Sequence, residues 1–165
     1  TQAKTLFPYT TLFRSSAAIP AGSTIELAHA EPSCGGRNVS PDLHWSGAPE
    51  GTASYAVTCY DPDAPTGSGW WHWIAFDIPA QVDSLDADAR PVAPVRQWEN
   101  DYGYDGYGGP CPPPGPAHRY VFTVYAMDTA RLEVPAGATS AACRFNLLAH
   151  VLDSASFTAT FAVAG

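Results

Sequence analysis

A chain of 165 residues has the size of one domain and is long enough to bury a core of its own. With 45% hydrophobic and 15% charged residues it is neither disordered nor supercharged, and its 16 prolines and 14 glycines exclude a helical bundle in favour of short strands and many turns. A formal net charge of −8, with only 8 Lys and Arg, excludes a general binder of nucleic acid or anionic membrane, so an anion would have to be held in a local pocket against the overall field.

The first residues read differently from the rest. Thr5 to Ser15, TLFPYTTLFRS, is the string that translation of a common short-read sequencing adapter yields, and the chain does not begin with Met. Residues 1–15 are therefore expected to be non-native and disordered, with residues 16–165 forming a single domain. Excluding them removes Lys4 and Arg14 and no acidic residue, which makes the remainder more acidic still. No run of 18 apolar residues occurs, so no membrane span is expected. The start also lacks the pattern of a secretory signal, which points to a cytoplasmic location, with a periplasmic one as the alternative.

In chain order, Ile25 to His29 has β-branched and apolar character and is expected as a short strand, followed by a Pro/Gly/Asn loop to Val39. Asp42 to Ser46 is a second short strand before the turn at Ala48 to Thr52. Ser54 to Tyr60 is an apolar run stopped by Asp61-Pro62, and Trp71 to Ile78 is another stopped by Pro79; both have the length and flanks of buried, adjacent strands. Gln81 to Asn100 is acidic and Pro-interrupted, and reads as loop or short irregular pieces. From Asp101 to Pro116, Gly and Pro alternate with aromatics, and five of the seven residues from Pro110 onward are proline. This segment can be neither strand nor helix, but proline's fixed φ makes it a stiff wall for a pocket. His118 to Met127 alternates as a strand. Thr139 to Leu152 is expected as the one helix, with Phe145, Leu148 and Leu152 at helical spacing, and Phe157 to Val163 closes the chain as a strand.

No two of the four cysteines stand in a CxxC spacing, so neither a zinc knuckle nor a thioredoxin-like site is expected. Cys59 and Cys143 fall in apolar elements and are expected as buried thiols. Cys34 and Cys111 lie in Gly/Pro-rich loops, where a disulfide and two free thiols both remain open.

Titratable groups gather at strand ends. Asp61-Pro62-Asp63-Ala64-Pro65 follows one strand directly, and His72 opens the next, eleven residues after Asp61, so a hairpin-like connection would bring Asp61 and His72 together. His118-Arg119-Tyr120 opens a strand after the proline loop, and alternation puts His118 and Tyr120 on one face with Arg119 on the other. Two imidazoles, a phenol and backbone N–H groups can donate to phosphate or carboxylate, and a carboxylate beside an imidazole sets its tautomer and favours the cation.

These motifs together resemble the phosphatidylethanolamine-binding protein family. D-P-D-A-P at Asp61 to Pro65, His72, G-G-P-C-P-P at Gly108 to Pro113 and H-R-Y at His118 to Tyr120 stand in that family's order. Asn38-Val39-Ser40-Pro41, Trp45-Ser46-Gly47 and Trp71-His72-Trp73 are similar to its bacterial YbhB/YbcL, or Raf-kinase-inhibitor-like, branch, and the likeness runs from about Ile19 to Phe161. The resemblance implies a mainly β fold of two antiparallel β-sheets with one C-terminal helix and long loops. It also implies a small surface pocket for phosphate, acetate or phosphoethanolamine-like groups. Carried over by position, the pocket residues are Asp61, Asp63, Pro65, His72, His118 and Tyr120, with Gly109, Pro110 and Cys111 as its backbone rim. A shorter loop after Pro65 and the lack of a C-terminal extension helix depart from the eukaryotic members, so kinase regulation is not carried over.

Each residue also has a plainer reading. Asp61 before proline can cap a turn, Asp63 can organise the loop, a strand His or Tyr can simply pack, and Arg119 is expected in an ion pair. His29, His44 and His150 lack companions and are assigned to structure or surface, and Trp70 and Trp98 to packing, with a place on the pocket rim as the alternative. Three functions compete. The first is a non-catalytic binder of a small anionic ligand, with no cofactor and no metal. The second is a regulator that docks on a protein partner, a protease or kinase, through the 108–116 loop. The third is a metal-dependent hydrolase, disfavoured because no Ser or Cys sits in an activating motif.

Overall fold

The computed structural model describes residues 12–165. Its strands in chain order are β1 (Phe13–Ser15), β2 (Leu43–Ser46), β3 (Ser54–Asp61), β4 (Trp70–Pro79), β5 (Ser84–Leu85), β6 (Arg96–Gln97), β7 (His118–Met127) and β8 (Val151–Phe161), with one α-helix, α1 (Ser140–Leu148), between the last two. They form a three-stranded sheet of order β1-β2-β5 and a five-stranded sheet of order β6-β4-β3-β7-β8, with every strand pairing antiparallel. The expected mainly β fold of two antiparallel sheets and one helix is the fold observed.

The large sheet is covered on both faces, which is why β3 and β4 read as continuous apolar runs rather than as alternations. Tyr55, Val57 and Cys59 of β3, Trp73 and Ala75 of β4, and Phe122 and Val124 of β7 turn to the core shared with the small sheet. Their sequence neighbours Ala56, Ile74, Phe76, Tyr125 and Met127 turn to a second core under α1. One irregularity in this pattern matters for the pocket. Cys59 pairs with Trp73 but Tyr60 pairs with Trp71, so β4 carries one extra residue, His72, opposite that step of β3. A bulge of this kind re-aims a side chain.

Four expectations need correction or adjustment. The strand expected at Ile25 to His29 is a short bridge followed by a 3-10 turn at Leu27–His29. The β8 edge takes hydrogen bonds from Gly22 N–H to the Thr158 oxygen (2.7 Å) and from Ile25 N–H to the Thr160 oxygen (2.8 Å), and pairing stops there. The helix ends at Leu148 rather than Leu152, because the chain turns at Ala149 and His150 and enters β8 at Val151. Its buried stripe is Ser140, Cys143 and Leu147, while Phe145, Leu148 and Leu152 are exposed. The Thr139 hydroxyl caps its start by accepting from Ala142 N–H at 3.1 Å. Finally, Leu12 is buried and Phe13–Ser15 pair with β2, so the last residues of the segment set aside at the N-terminus pack with the domain. Residues 1–11 of that segment lie outside the described residues. Among the described residues no helix is long and apolar enough to cross a membrane.

Candidate anion-binding site

The ends of β3, β4 and β7 and the Pro-rich loop enclose a cavity of about 300 Å³. Asp61, Pro65, His72, Cys111, His118 and Tyr120 line it. Asp63, Gly109 and Pro110 do not: they hold the walls.

Asp61 ends β3 and is buried. Its Oδ1 accepts from Asp63 N–H at 2.8 Å, as expected of an Asp before a proline turn, and its Oδ2 lies 2.7 Å from His118 Nδ1. The carboxylate thus bonds His118 across the β3–β7 ladder, while His72 shares the cavity with it, near enough to feel its charge. His72 finds another partner: its Nδ1 lies 2.7 Å from the Gly108 oxygen, and Gly108 N–H donates back to the His72 oxygen at 2.7 Å. Burial pushes the His72 pKa down, against the Gly108 hydrogen bond and the charges of Asp61 and Asp101, which push it up. Burial first, then the Asp61 charge, drives the Tyr120 pKa far above the usual phenol value, so the hydroxyl keeps its proton.

Asp63 turns away to Arg119. It accepts from the Arg119 backbone N–H at 2.8 Å and from Nε and Nη2 at 3.0 and 2.8 Å. Those hydrogen bonds hold its carboxyl down to about 2. His118 and Tyr120 facing inward with Arg119 outward is the alternation expected of this strand. Gly109 packs so closely that a Cβ there would stand 2.1 Å from the His29 carbonyl oxygen, and its N–H donates to Asn38 Oδ1 at 2.6 Å. Asn38 Nδ2 donates to the Tyr107 oxygen at 3.0 Å, so this one side chain clamps the Gly/Pro loop. The Pro110 oxygen accepts from Glu31 N–H at 3.1 Å, and Cys111 is disulfide-bonded to Cys34, with 5.6 Å between their Cα atoms.

Two aromatics assigned to packing, or not singled out at all, belong to the pocket. Trp70 and Tyr102 line it with their rings 5.4 Å apart, and Tyr102 donates to the Gly109 oxygen at 2.9 Å. Trp70 Nε1–H is buried without a partner. The signal for Trp70 is its register opposite Asp61; Tyr102 sits in a loop where no periodicity could mark it. Of the remaining histidines, His29 is fixed to the Val39 oxygen, His44 to Asp42 and His150 to Asp128. Among the described residues no group of three or more His, Cys, Asp and Glu side chains is disposed to hold a metal ion.

Two antiparallel sheets, an α-helix and an aromatic-walled cavity with two imidazoles and the Tyr120 phenol at strand ends define a mainly β protein with a preformed pocket. The chain belongs to the phosphatidylethanolamine-binding protein family, which it matches over residues 15–162. It is 49% identical over 132 residues to the protein YbhB of Escherichia coli (strain K12), a match spanning 76% of this chain and 83% of that one. It is 46% identical over 138 residues to YbcL of the same organism, across 79% and 75% of the two chains. The crystal structure of E. coli YbcL, described as a new member of the mammalian PEBP family, aligns with a TM-score of 0.87 at 41% identity, covering 92% of this chain and 98% of that one.

Proposed function

We propose that the chain is a non-catalytic binding protein for small oxyanions, a phosphate, carboxylate or phosphoethanolamine-like group presented free or on a larger molecule. The observation that carries this reading is the Tyr120 hydroxyl: it is buried, unpartnered and part of the cavity wall that His72 and His118 also line. A buried donor left unpaired costs about 1–3 kcal/mol, and a ligand oxygen that accepts from it recovers that cost. The name of the family supports the headgroup class. The non-catalytic reading rests on the sulfur and hydroxyl chemistry nearby. Cys111 is spent in a disulfide, burial raises the Cys59 and Cys143 thiols, and the Thr66 hydroxyl on the cavity donates to the Gly69 oxygen at 2.6 Å, which argues against an activated nucleophile beside the two imidazoles. The disulfide also supports an oxidising compartment, the periplasmic alternative rather than the cytoplasmic one.

The test is a titration with inorganic phosphate and with phosphoethanolamine, followed by the imidazole NMR signals. His72 and His118 are expected to move together and to saturate, with His29, His44 and His150 unmoved. Unmoved His72 and His118 signals at millimolar ligand would sink the proposal.

A further inference from the structure

The pocket imidazoles are set up by their outer hydrogen bonds. A carbonyl oxygen only accepts, so His72 Nδ1, 2.7 Å from the Gly108 oxygen, carries the ring proton. The neutral ring therefore has a lone pair at Nε2, the one nitrogen not engaged by the wall. His118 is oriented in the same way by Asp61 Oδ2 at 2.7 Å. Beside a neutral His72 ring, the donors the wall leaves free are the Tyr120 hydroxyl and Trp70 Nε1–H. An oxyanion stripped of protons would then meet His72 lone pair against lone pair.

The groups around His72 decide how that conflict resolves. Asp61 from β3, His118 and Tyr120 from β7, and Asp101 and Tyr102 from the loop after β6 surround the ring. Burial prevails over the Gly108 hydrogen bond and the two carboxylates, so the protein by itself favours the neutral ring. A bound anion adds negative charge beside it, which favours the cation. Resting on the oxyanion reading of the same pocket, we infer that the site takes up its ligand together with one proton, lodged between His72 Nε2 and a ligand oxygen. The ligand class is then a phosphomonoester or similar weak-acid oxyanion. The monoanion brings the proton on its own P–OH, and the dianion binds as the ring takes a proton from water. On the second route an O–H bond of water breaks as the Nε2–H bond forms and the buffer neutralises the hydroxide; no bond joins ligand to protein, and both routes give the same complex.

The sign of the linkage follows. Above the second phosphate pKa, about 6, and above the lowered pKa of the free ring, binding consumes a proton, so affinity rises as pH falls and levels off below that window. Phosphoethanolamine binding is measured by calorimetry at about pH 7.5 in Tris and in PIPES, whose different ionisation heats count protons. About one proton taken up per ligand is expected, with Kd rising about tenfold for each pH unit above the window. Nitrogen-15 histidine spectra of the wild-type protein are expected to show His72 Nε2 changing from lone pair to N–H on binding. His72→Gln, whose amide donates without titrating, is expected to flatten the pH profile while binding persists. Should that variant fail to fold, the wild-type calorimetry and spectra decide. Binding with heat independent of buffer, a flat wild-type profile, or the new proton on His118 alone overturns the inference and leaves oxyanion binding standing. Absence of binding at every pH from about 5.5 to 8.5 overturns both.

Discussion

Replacing Cys34 and Cys111 together by serine opens a cross-link between residues 77 apart in sequence. The chain-entropy relation gives a ceiling of about 4.5 kcal/mol at 25 °C for a loop of that length, and native disulfides in small domains contribute about 2–4 kcal/mol. The folded state has other ties between the same segments, from Glu31 N–H to the Pro110 oxygen and from Gly109 N–H to Asn38 Oδ1. Most of the loss is therefore expected through the unfolded chain, which gains the freedom the cross-link denied it. Urea unfolding of wild type and double variant, read by tryptophan fluorescence and extrapolated linearly, is expected to show a loss of about 2–4 kcal/mol. The urea slope should rise, because the opened unfolded chain exposes more surface. Reducing the wild type with dithiothreitol should reproduce both changes, and denatured wild type should titrate as two thiols, Cys59 and Cys143. A loss below about 0.5 kcal/mol with an unchanged slope would refute this account and show that the unfolded chain holds the two segments together without the bond.

Tyr120→Phe deletes the unpartnered hydroxyl. Stability measured in urea should stay within about 0.5 kcal/mol or rise, while phosphate affinity measured by calorimetry should fall about tenfold or more, the value of a hydrogen bond to a charged group. Asp63→Asn removes a carboxylate whose pKa is depressed in the fold to about 2. A depressed acid stabilises above its ordinary range and loses that contribution as pH falls. Acid titration of stability should therefore show wild type ahead of the variant above about pH 4 and the two converging toward about pH 2. On α1, Leu147→Ala should cost about 2–5 kcal/mol and Phe145→Ala less than about 0.5, a contrast that thermal unfolding can read directly. Equal losses at the two positions would contradict the observed orientation of the helix.

How far the fold was legible depended on what each segment buries. The β3 and β4 runs announce themselves because a strand covered on both faces needs apolar residues at every position, and Asp61-Pro62 and Pro79 mark where pairing must stop. The helix was legible as a helix but not in its orientation. Phe145, Leu148 and Leu152 satisfy helical spacing, yet the smaller set Ser140, Cys143 and Leu147 is the one that fits under the crowded aromatics of the large sheet. Hydrophobic weight favours the first set, and close packing selects the second. Leu152 had a further reason to mislead, since it belongs to β8 and points outward from an edge strand. Ile25 was read as the start of a strand because a single buried apolar anchor looks the same whether two residues pair or six.

Periodicity marks the pocket side chains that strand register fixes, while Pro65, His72 and Cys111, set by loops and a bulge, were legible only through the family resemblance. His118 and Tyr120 follow from alternation alone, and their inward placement needs no knowledge of the loop. His72 does not, because strict alternation between Trp71 and Trp73 would place those two together and His72 apart from both. The extra residue on β4 separates the tryptophans between the two cores and leaves His72 on the cavity. That irregularity also lets the ring reach Gly108, and the Gly108 bond is what leaves a lone pair facing the ligand space. Tyr102, Asn38 and the disulfide act from loops, where composition shows stiffness but not direction. Asn38 takes a left-handed φ of 56°, which Asn tolerates better than most residues, and from there reaches both Gly109 and Tyr107. The wall is thus held from outside by Asn38, Glu31 and the disulfide, while the groups inside it are left unsatisfied at Tyr120 and Trp70. The proposed oxyanion binding rests on that contrast between a bonded frame and two free donors in the lining.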